Sequence, residues 1–400
     1  MLHRTLSLTA ASLVLFGCAG ADDLSRSAVV RDSAGIRITE NPYGAVGEEW
    51  RFRLPAVLEI GRSEGEGDGP DLFGSIRQVI RLSSGNIAIA DGLAREIRIF
   101  DEGGSHLVTF GGRGEGPGEF TNLVSIAELS GDSIAAIDNL NARASIFTTA
   151  GDFVRSFPIP RLPGASAPNV VGWFGDGTLL LTAPSRSPSR DTRDQSTRFL
   201  YSVDHHGEIL NTLGEFADSR LGRNGLALGF GSRAEFAAGG ALAWYGHSGE
   251  FGLMGYDRLG TVRRIVRVDR TPKAVTQGEI DEARTMVEEG LQGLSGPAVQ
   301  RIRDTEFAGT HPVHGMVRSA GGGGLWVERY RSPFAPDTMP REWDIFDAEG
   351  RLTGHLTSPG NFEITDVGPQ FVLGAHRDAL GVQTARVYRV LRGPGGKEGE

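Results

Sequence analysis

Apolar and polar residues alternate at a period of two along much of the chain. The alternation is clearest in residues 86–91 and 96–100, where isoleucine recurs at every second position. This spacing places successive side chains on opposite faces of a strand, whereas a helix would bring an apolar residue round every three or four positions. Glycine and aspartate mark the joints between these runs. The pattern predicts four short strands, at residues 75–83, 86–91, 96–101 and 106–111.

The same block of sequence returns 47 residues further on. The recurring residues are Phe73, Asp91, Phe100, Gly104 and Phe110, which come back as Phe120, Asp138, Phe147, Gly151 and Phe157. A fixed period of this length indicates a repeat fold, because each unit is too small to bury its apolar face alone. Four short antiparallel strands in one period are typical of a β-propeller blade.

Weaker copies of the unit begin near residues 175, 239, 324 and 370, which brings the number of blades to six. The sixth copy stops after three strands, near Arg392, and would leave an unpaired edge. Residues 53–61 precede a glycine-rich loop of the same kind as the loop that follows the first blade. We therefore expect an all-β, six-bladed β-propeller over residues 51–393, closed by an N-terminal strand.

One helical interruption is predicted between blades four and five, at about residues 276–304. Thr276 and Glu279 have the spacing of a capping box, and a second short helix is expected at residues 297–303. Apolar residues then follow at helical spacing: Ile280, Ala283, Val287, Leu291 and Leu294. This stripe favours packing against the flank of the propeller, while docking on a partner or covering the channel remain alternatives.

The first residues predict export. His3 and Arg4 precede an apolar run over residues 6–16, which is too short to span a bilayer but suits a secretory signal peptide at residues 1–17. The run ends in Phe16, Gly17 and Cys18, which resembles a bacterial lipobox. Cys18 is the sole cysteine, so lipidation explains it better than a disulfide does; an ordinary signal peptide with a chance cysteine is the alternative.

The residues after Cys18 are small and include no adjacent aspartate, which favours the outer membrane, facing the periplasm or the cell surface. Residues 18–50 are expected to form a tether and lead-in, and residues 394–400 a disordered tail. The lipid anchor would be the only membrane contact. The formal net charge of −9 is dispersed, with no basic face, which argues against nucleic acid as a partner. A monomer is expected.

Residues 138–147 carry a family resemblance. Asp138, Asn141, Arg143 and Phe147 follow the order and spacing of the NHL repeat, and the whole chain resembles bacterial six-bladed β-propeller lipoproteins related to NHL and TolB-like propellers. The resemblance implies that the repeated aspartate and arginine tie the turn between the second and third strands. Asp91, Asp138 and Arg143 are therefore interpreted as structural.

The motifs of common enzymes are incomplete. Residues 246–250 approximate a nucleophile elbow but end in Glu250, and residues 111–118 lack the lysine of a phosphate-binding loop. The resemblance leaves one enzymatic possibility, because some six-bladed propellers, of the lactonase and lyase types, hold calcium in the central channel. The residues before the innermost strands are therefore candidate ligand-binding positions at the channel mouth: Asn122, Asn169, His314, Asn361 and Glu363. A single carboxylate among them predicts weak calcium binding.

The sequence therefore favours a non-catalytic binding or scaffold module for a protein, peptide or glycan of the cell envelope. Its contact surface is predicted on the long loops at residues 184–197 and 330–341, because loops project from a repeat fold. The alternative is a calcium-dependent hydrolase of the lactonase or lyase type, with its site in the channel. No catalytic residue is assigned from the sequence.

Overall fold

The computed structural model describes residues 27–62, 69–166, 168–186 and 194–393. The predicted signal peptide, Cys18 and the predicted tail at residues 394–400 lie outside the described residues, as does the centre of the loop at residues 184–197. Within the described ranges, no helix is both long enough and apolar enough to span a lipid bilayer.

The described residues are mostly β-structure. Four strands come first: β1 (Val29–Ser33), β2 (Ile36–Asn41), β3 (Glu48–Phe52) and β4 (Leu58–Ile60). Two antiparallel four-stranded sheets follow: β5 (Ile76–Arg81), β6 (Ile87–Asp91), β7 (Glu96–Phe100) and β8 (His106–Gly111), then β9 (Leu123–Leu129), β10 (Ser133–Asp138), β11 (Arg143–Thr148) and β12 (Phe153–Pro158). Consecutive strands pair within each sheet, as the 47-residue repeat predicts.

The later sheets repeat this order. The third sheet is β13 (Asn169–Trp173), β14 (Leu179–Pro184), β15 (Gln195–Val203) and β16 (Ile209–Arg220), and the fourth is β17 (Ala234–Gly239), β18 (Leu242–His247), β19 (Gly252–Tyr256) and β20 (Val262–Val268). The strands β21 (Val317–Ser319), β22 (Leu325–Glu328), β23 (Arg341–Phe346) and β24 (Leu352–Ser358) precede β25 (Phe362–Val367), β26 (Phe371–Arg377) and β27 (Gln383–Arg392). Repeated four-stranded antiparallel sheets of this kind are the architecture of a β-propeller.

The N-terminal strands extend three of these sheets. β4 pairs antiparallel with β27 over residues 58–60, within the segment that the sequence predicts as the missing strand. β3 lies between two sheets, parallel to β24 and antiparallel to β27. β2 runs parallel to β20, and β1 covers β2. The last two pairings fall in the predicted lead-in, where the sequence analysis expects no strands.

The apolar core of the described residues lies between successive sheets. Each cluster draws side chains from two neighbours in the chain, such as Ile99 and Phe147 from the first and second sheets. One cluster combines Ile89 and Phe100 of the first sheet with Leu373 and Val387 of the last strands, and Ile60 of β4 completes it. Apolar packing therefore continues from the last sheet to the first.

Two helices interrupt the strands between β20 and β21, where the sequence predicts them. They are α1 (Gln277–Gly290) and α2 (Pro297–Arg303). The capping box of α1 forms: the Glu279 amide donates to Thr276 Oγ1 at 3.3 Å, and the Thr276 amide donates to Glu279 Oε2 at 2.8 Å. Ala283 is the buried residue of α1, whereas Leu294 lies beyond the helix and is exposed.

The connections at the two ends of the sheets differ in length. In an antiparallel sheet the turns after the first and third strands lie at one end, and the other connections lie at the opposite end. At the first end the longest turns, such as residues 82–86, have five residues. At the second end lie the long connections at residues 159–168, 185–194, 221–233, 269–316 and 329–340. We call this second end the loop face.

Candidate functional site

The innermost strands surround a central cavity. Its volume is about 340 Å³, and its wall takes residues from β5, β9, β13, β17, β21 and β25. One side chain from each of these strands illustrates the mixed polarity of the wall: Gln78, Ser125, Val170, Phe236, Arg318 and Thr365. The first strands of successive sheets thus line one shared space.

Two of the sequence-predicted mouth residues bond locally. Asn122 Nδ2 donates to Asn139 Oδ1 at 2.7 Å. Asn361 Nδ2 lies 3.0 Å from His376 Nε2 and donates to the Arg377 carbonyl oxygen at 2.9 Å. Both asparagines therefore hold the turns of their own sheets.

The other three predicted residues have different surroundings. Asn169 and Glu363 are exposed on innermost strands. His314 is fully buried, with Nδ1 2.9 Å from the Gly315 carbonyl oxygen and its ring 5.0 Å from that of Phe251. Burial lowers the pKa of His314 to about 4, so the imidazole is neutral at pH 7. These five side chains form no hydrogen bonds with one another.

A calcium site requires a particular set of ligand atoms. Calcium binds six to eight oxygen atoms, commonly including several carboxylates. Within the described ranges, no group of three or more His, Cys, Asp or Glu side chains could hold a metal ion. The candidate ligands named from the sequence include one carboxylate, Glu363, and so do not supply a typical calcium donor set.

A different polar cluster lies at the loop face, between the fourth and fifth sheets. It consists of Arg233, Glu235, Glu328, Tyr330 and Arg341, and we call it the mouth cluster. Arg233 Nε donates to Glu235 Oε1 at 2.7 Å, and Arg341 Nη1 donates to Glu328 Oε1 at 2.9 Å. Each carboxylate sits near the end of a strand that meets the loop face, and each is held by a guanidinium. The two ion pairs hold both carboxylates and both guanidinium groups in fixed positions.

Burial governs the ionisation of this cluster. It raises the pKa of the Glu235 carboxyl, and the nearby carboxylates of Glu328 and Asp218 add to that effect, while Arg233 opposes it. Burial also raises the pKa of Tyr330 to about 12, so its hydroxyl stays protonated. Within the described residues that hydroxyl has no hydrogen-bond partner, and neither does Arg341 Nε. The mouth cluster can therefore bind groups that donate hydrogen bonds and groups that accept them.

Aromatic side chains from three long connections pack beside the mouth cluster. The Phe230 ring lies 5.5 Å from Phe307, 5.2 Å from His311 and 5.5 Å from Phe334, and His311 lies 5.3 Å from Tyr330. Phe230 has a φ of 56°, a left-handed conformation that costs about 1–3 kcal/mol for a bulky residue. The packing of the three connections holds Phe230 in this conformation. These loops therefore present a surface of fixed shape.

Sequence reasoning missed Glu235 and Glu328. Both occupy strand positions at which the alternation suggests ordinary exposed residues, and their arginine partners come from a loop or another strand. A usable signal lies in the spacing of Arg233 and Glu235, two positions apart at the start of the innermost strand β17. The loop at residues 330–341 was predicted as a contact surface, and it contributes Tyr330 and Arg341 to the cluster.

No protein-family model and no curated protein matches the chain. A solved structure of a DUF4221 family member from Bacteroides vulgatus is 14% identical, with a TM-score of 0.55, over 86% of this chain and 99% of that one. A putative exported protein from Bacteroides fragilis is 12% identical, with a TM-score of 0.49, over 89% and 99%. Virginiamycin B lyase from Staphylococcus aureus is 10% identical, with a TM-score of 0.42, over 85% and 99%. At these identities the first likeness concerns the fold alone, and the other two carry no further conclusion.

Proposed function

We propose that the protein is an exported, six-bladed β-propeller that binds a peptide or protein segment at its loop face without chemical conversion. The observation that supports this proposal is the unequal length of the connections at the two ends of the sheets. Long connections on a rigid scaffold are where binding surfaces are most often found. The proposal includes a ring closed by residues 58–60 and an N-terminal lipid anchor at Cys18 in the cell envelope.

The chemistry of the loop face favours a peptide over a glycan. The mouth cluster offers paired charges of both signs, through Glu235 and Glu328 on one side and Arg233 and Arg341 on the other. Peptides carry amides and charged side chains that can engage both kinds of group, and aromatic residues such as Phe334 add apolar contact. We expect the bound segment to carry at least one basic and one acidic group.

Selection from a random-peptide library on the purified protein tests the proposal. We expect enriched peptides to bind the wild type, and to bind the double variant Glu235→Gln, Glu328→Gln at least about tenfold more weakly, because two buried acceptors lose their charge. Leu259→Ser is the control, since this exposed leucine lies in a turn at the opposite end of the sheets. Failure to enrich any peptide, or equal binding by the double variant, would refute the loop-face site.

The calcium-dependent hydrolase remains the alternative proposal, and a thermal unfolding series separates the two. The melting temperature is compared in calcium and in chelator. Ligand at about 100 times its Kd stabilises a protein by about 2.7 kcal/mol, so a resident calcium ion would shift the midpoint by a few degrees. Peptide binding that persists in chelator supports the recognition role. Calcium-dependent cleavage of lactones or esters would support the hydrolase instead.

A further inference from the structure

Arg318 projects from β21 into the central cavity. Its Nε atom is shielded from solvent and has no hydrogen-bond partner among the described residues. No ion pair within 4.0 Å joins its guanidinium to a described carboxylate, and the rest of the side chain is partly accessible through the cavity. A guanidinium is charged at every physiological pH, so an unpaired one inside a protein is unusual.

The charged groups around Arg318 do not compensate it by direct contact. Glu363, Glu328 and Asp366 attract its charge from a distance, and Arg341 repels it. Glu328 is already bonded to Arg341 at 2.9 Å. Burial outweighs these attractions and lowers the pKa of Arg318. The cavity thus contains a cation that an additional anionic group would stabilise.

The rest of the cavity wall limits which anion fits. It is largely polar and includes Gln78 and the carboxylate of Asp366, with Met316 among its apolar residues, while Val170 and Phe236 pack into the clusters between the sheets. A volume of about 340 Å³ lies at the small end of ligand pockets. An inorganic anion would hold all of its charge in the same small space as Asp366, whereas an organic acid can direct its carboxylate to Arg318 and keep an uncharged body against the rest of the wall.

We propose that the central cavity binds a small organic carboxylate whose oxygen atoms pair with the Arg318 guanidinium. The planar carboxylate matches the two-pronged geometry of a guanidinium. Gln78 lies in the same wall, where its Oε1 accepts the Ile126 amide at 3.0 Å, and its NH₂ group is the second donor in this proposal. This site shares no wall residue with the mouth cluster, so peptide recognition can fail while carboxylate binding succeeds, or the reverse.

Calorimetric titration with acetate, hexanoate and phenylacetate tests the proposal. Phenylacetamide serves as the neutral analogue and inorganic phosphate as the purely inorganic anion. We expect at least one carboxylate to bind the wild type and to bind Arg318→Met at least about tenfold more weakly, with Arg318→Lys intermediate because lysine offers a single-point contact. Arg258→Met, at an exposed turn on the opposite end, removes the same charge and should bind like the wild type.

Thermal unfolding without ligand gives an independent readout. We expect Arg318→Met to melt at a higher temperature than the wild type, because the variant removes a buried charge that the protein leaves unpaired. The proposal is overturned if none of the three acids binds, if Arg318→Met binds them equally, or if phosphate or the amide binds as well. A lower melting temperature or failure of Arg318→Met to fold would also overturn it, since the charge would then be compensated within the protein.

Discussion

Two buried carboxylates perform the same structural task one repeat apart. Asp91 accepts hydrogen bonds from the backbone amides of Gly74 and Ser75 at 2.9 and 3.1 Å. Asp138 accepts the bonds that lie 47 positions later, at 2.7 and 3.1 Å. Each also accepts an amide of its own turn, from Ala94 or Asn141. The geometry agrees with the structural role that the family resemblance implies for these aspartates.

His314 makes stability depend on pH. Its pKa is lowered from 6.5 to about 4 in the folded state, so the unfolded chain binds a proton first as the pH falls. Folding stability should therefore decline between about pH 6.5 and pH 4, by about 3 kcal/mol from this residue. In urea unfolding, the free energy of unfolding of the wild type should fall by about 3 kcal/mol relative to that of His314→Leu as the pH drops from 6.5 to 4.

An exposed histidine provides the matched control for this measurement. His106 is exposed on β8, and His106→Leu should keep the pH dependence of the wild type. If the wild type and His314→Leu lose stability in parallel on acidification, the buried imidazole is not the cause.

At the level of elements, the sequence predicts best where local signals suffice. The bounds of β8 and α2 agree with residues 106–111 and 297–303, because turn residues, a proline and apolar spacing mark them. β1 and β2 were missed because β2 pairs with β20, more than 200 residues away, and β1 is largely exposed. Likewise, the sequence places Asn122 before an innermost strand but cannot reveal that Asn139 binds it.

The capping box should control the stability of α1 alone. Thr276→Ala removes the side-chain half of the box, at a cost of about 1 kcal/mol. Because Ala283 is the buried residue of α1, little packing compensates, and amide hydrogen exchange over residues 277–290 should accelerate about fivefold. Mass spectrometry of deuterium uptake measures this change.

Thr285→Ala is the control within the same helix, because its hydroxyl donates to the Asp281 carbonyl oxygen and takes no part in the cap. We expect exchange in the strands to be the same in both variants. Faster exchange in β20 or β21 would show instead that the helix is coupled to the sheets.

For the whole molecule, the order of the sheets could be inferred from the repeat, but the packing that joins them could not. The segment at residues 53–61 was predicted to complete the last sheet from the likeness of two glycine-rich loops. The structure pairs residues 58–60 with β27, and Ile60 enters a cluster shared by the first and last sheets. The assembly of the mouth cluster could not be inferred from the sequence, because it depends on how the fourth and fifth sheets meet.

Ile60 tests whether this junction stabilises the whole fold. Ile60→Asp would place a carboxylate at a position that is 4% exposed, and we expect a loss of about 4 kcal/mol in the free energy of unfolding. Val57→Asp makes a similar change at a side chain that is 45% exposed and should cost little. Urea unfolding should show one cooperative transition, at a lower urea concentration for Ile60→Asp than for the wild type. An unchanged midpoint would mean that β4 does not contribute to the stability of the whole fold.

The path of the N-terminal strands also bears on mechanical load. If the chain is tethered near residue 18, tension reaches the protein first at β1, at the outer edge of the fourth sheet. Peeling β1 from β2 breaks its five residue pairs one after another, which requires less force than shearing them together. The released strand would add about 17 Å of slack at 3.4 Å per residue. β1 would therefore detach at a lower tension than the strands that line the central cavity.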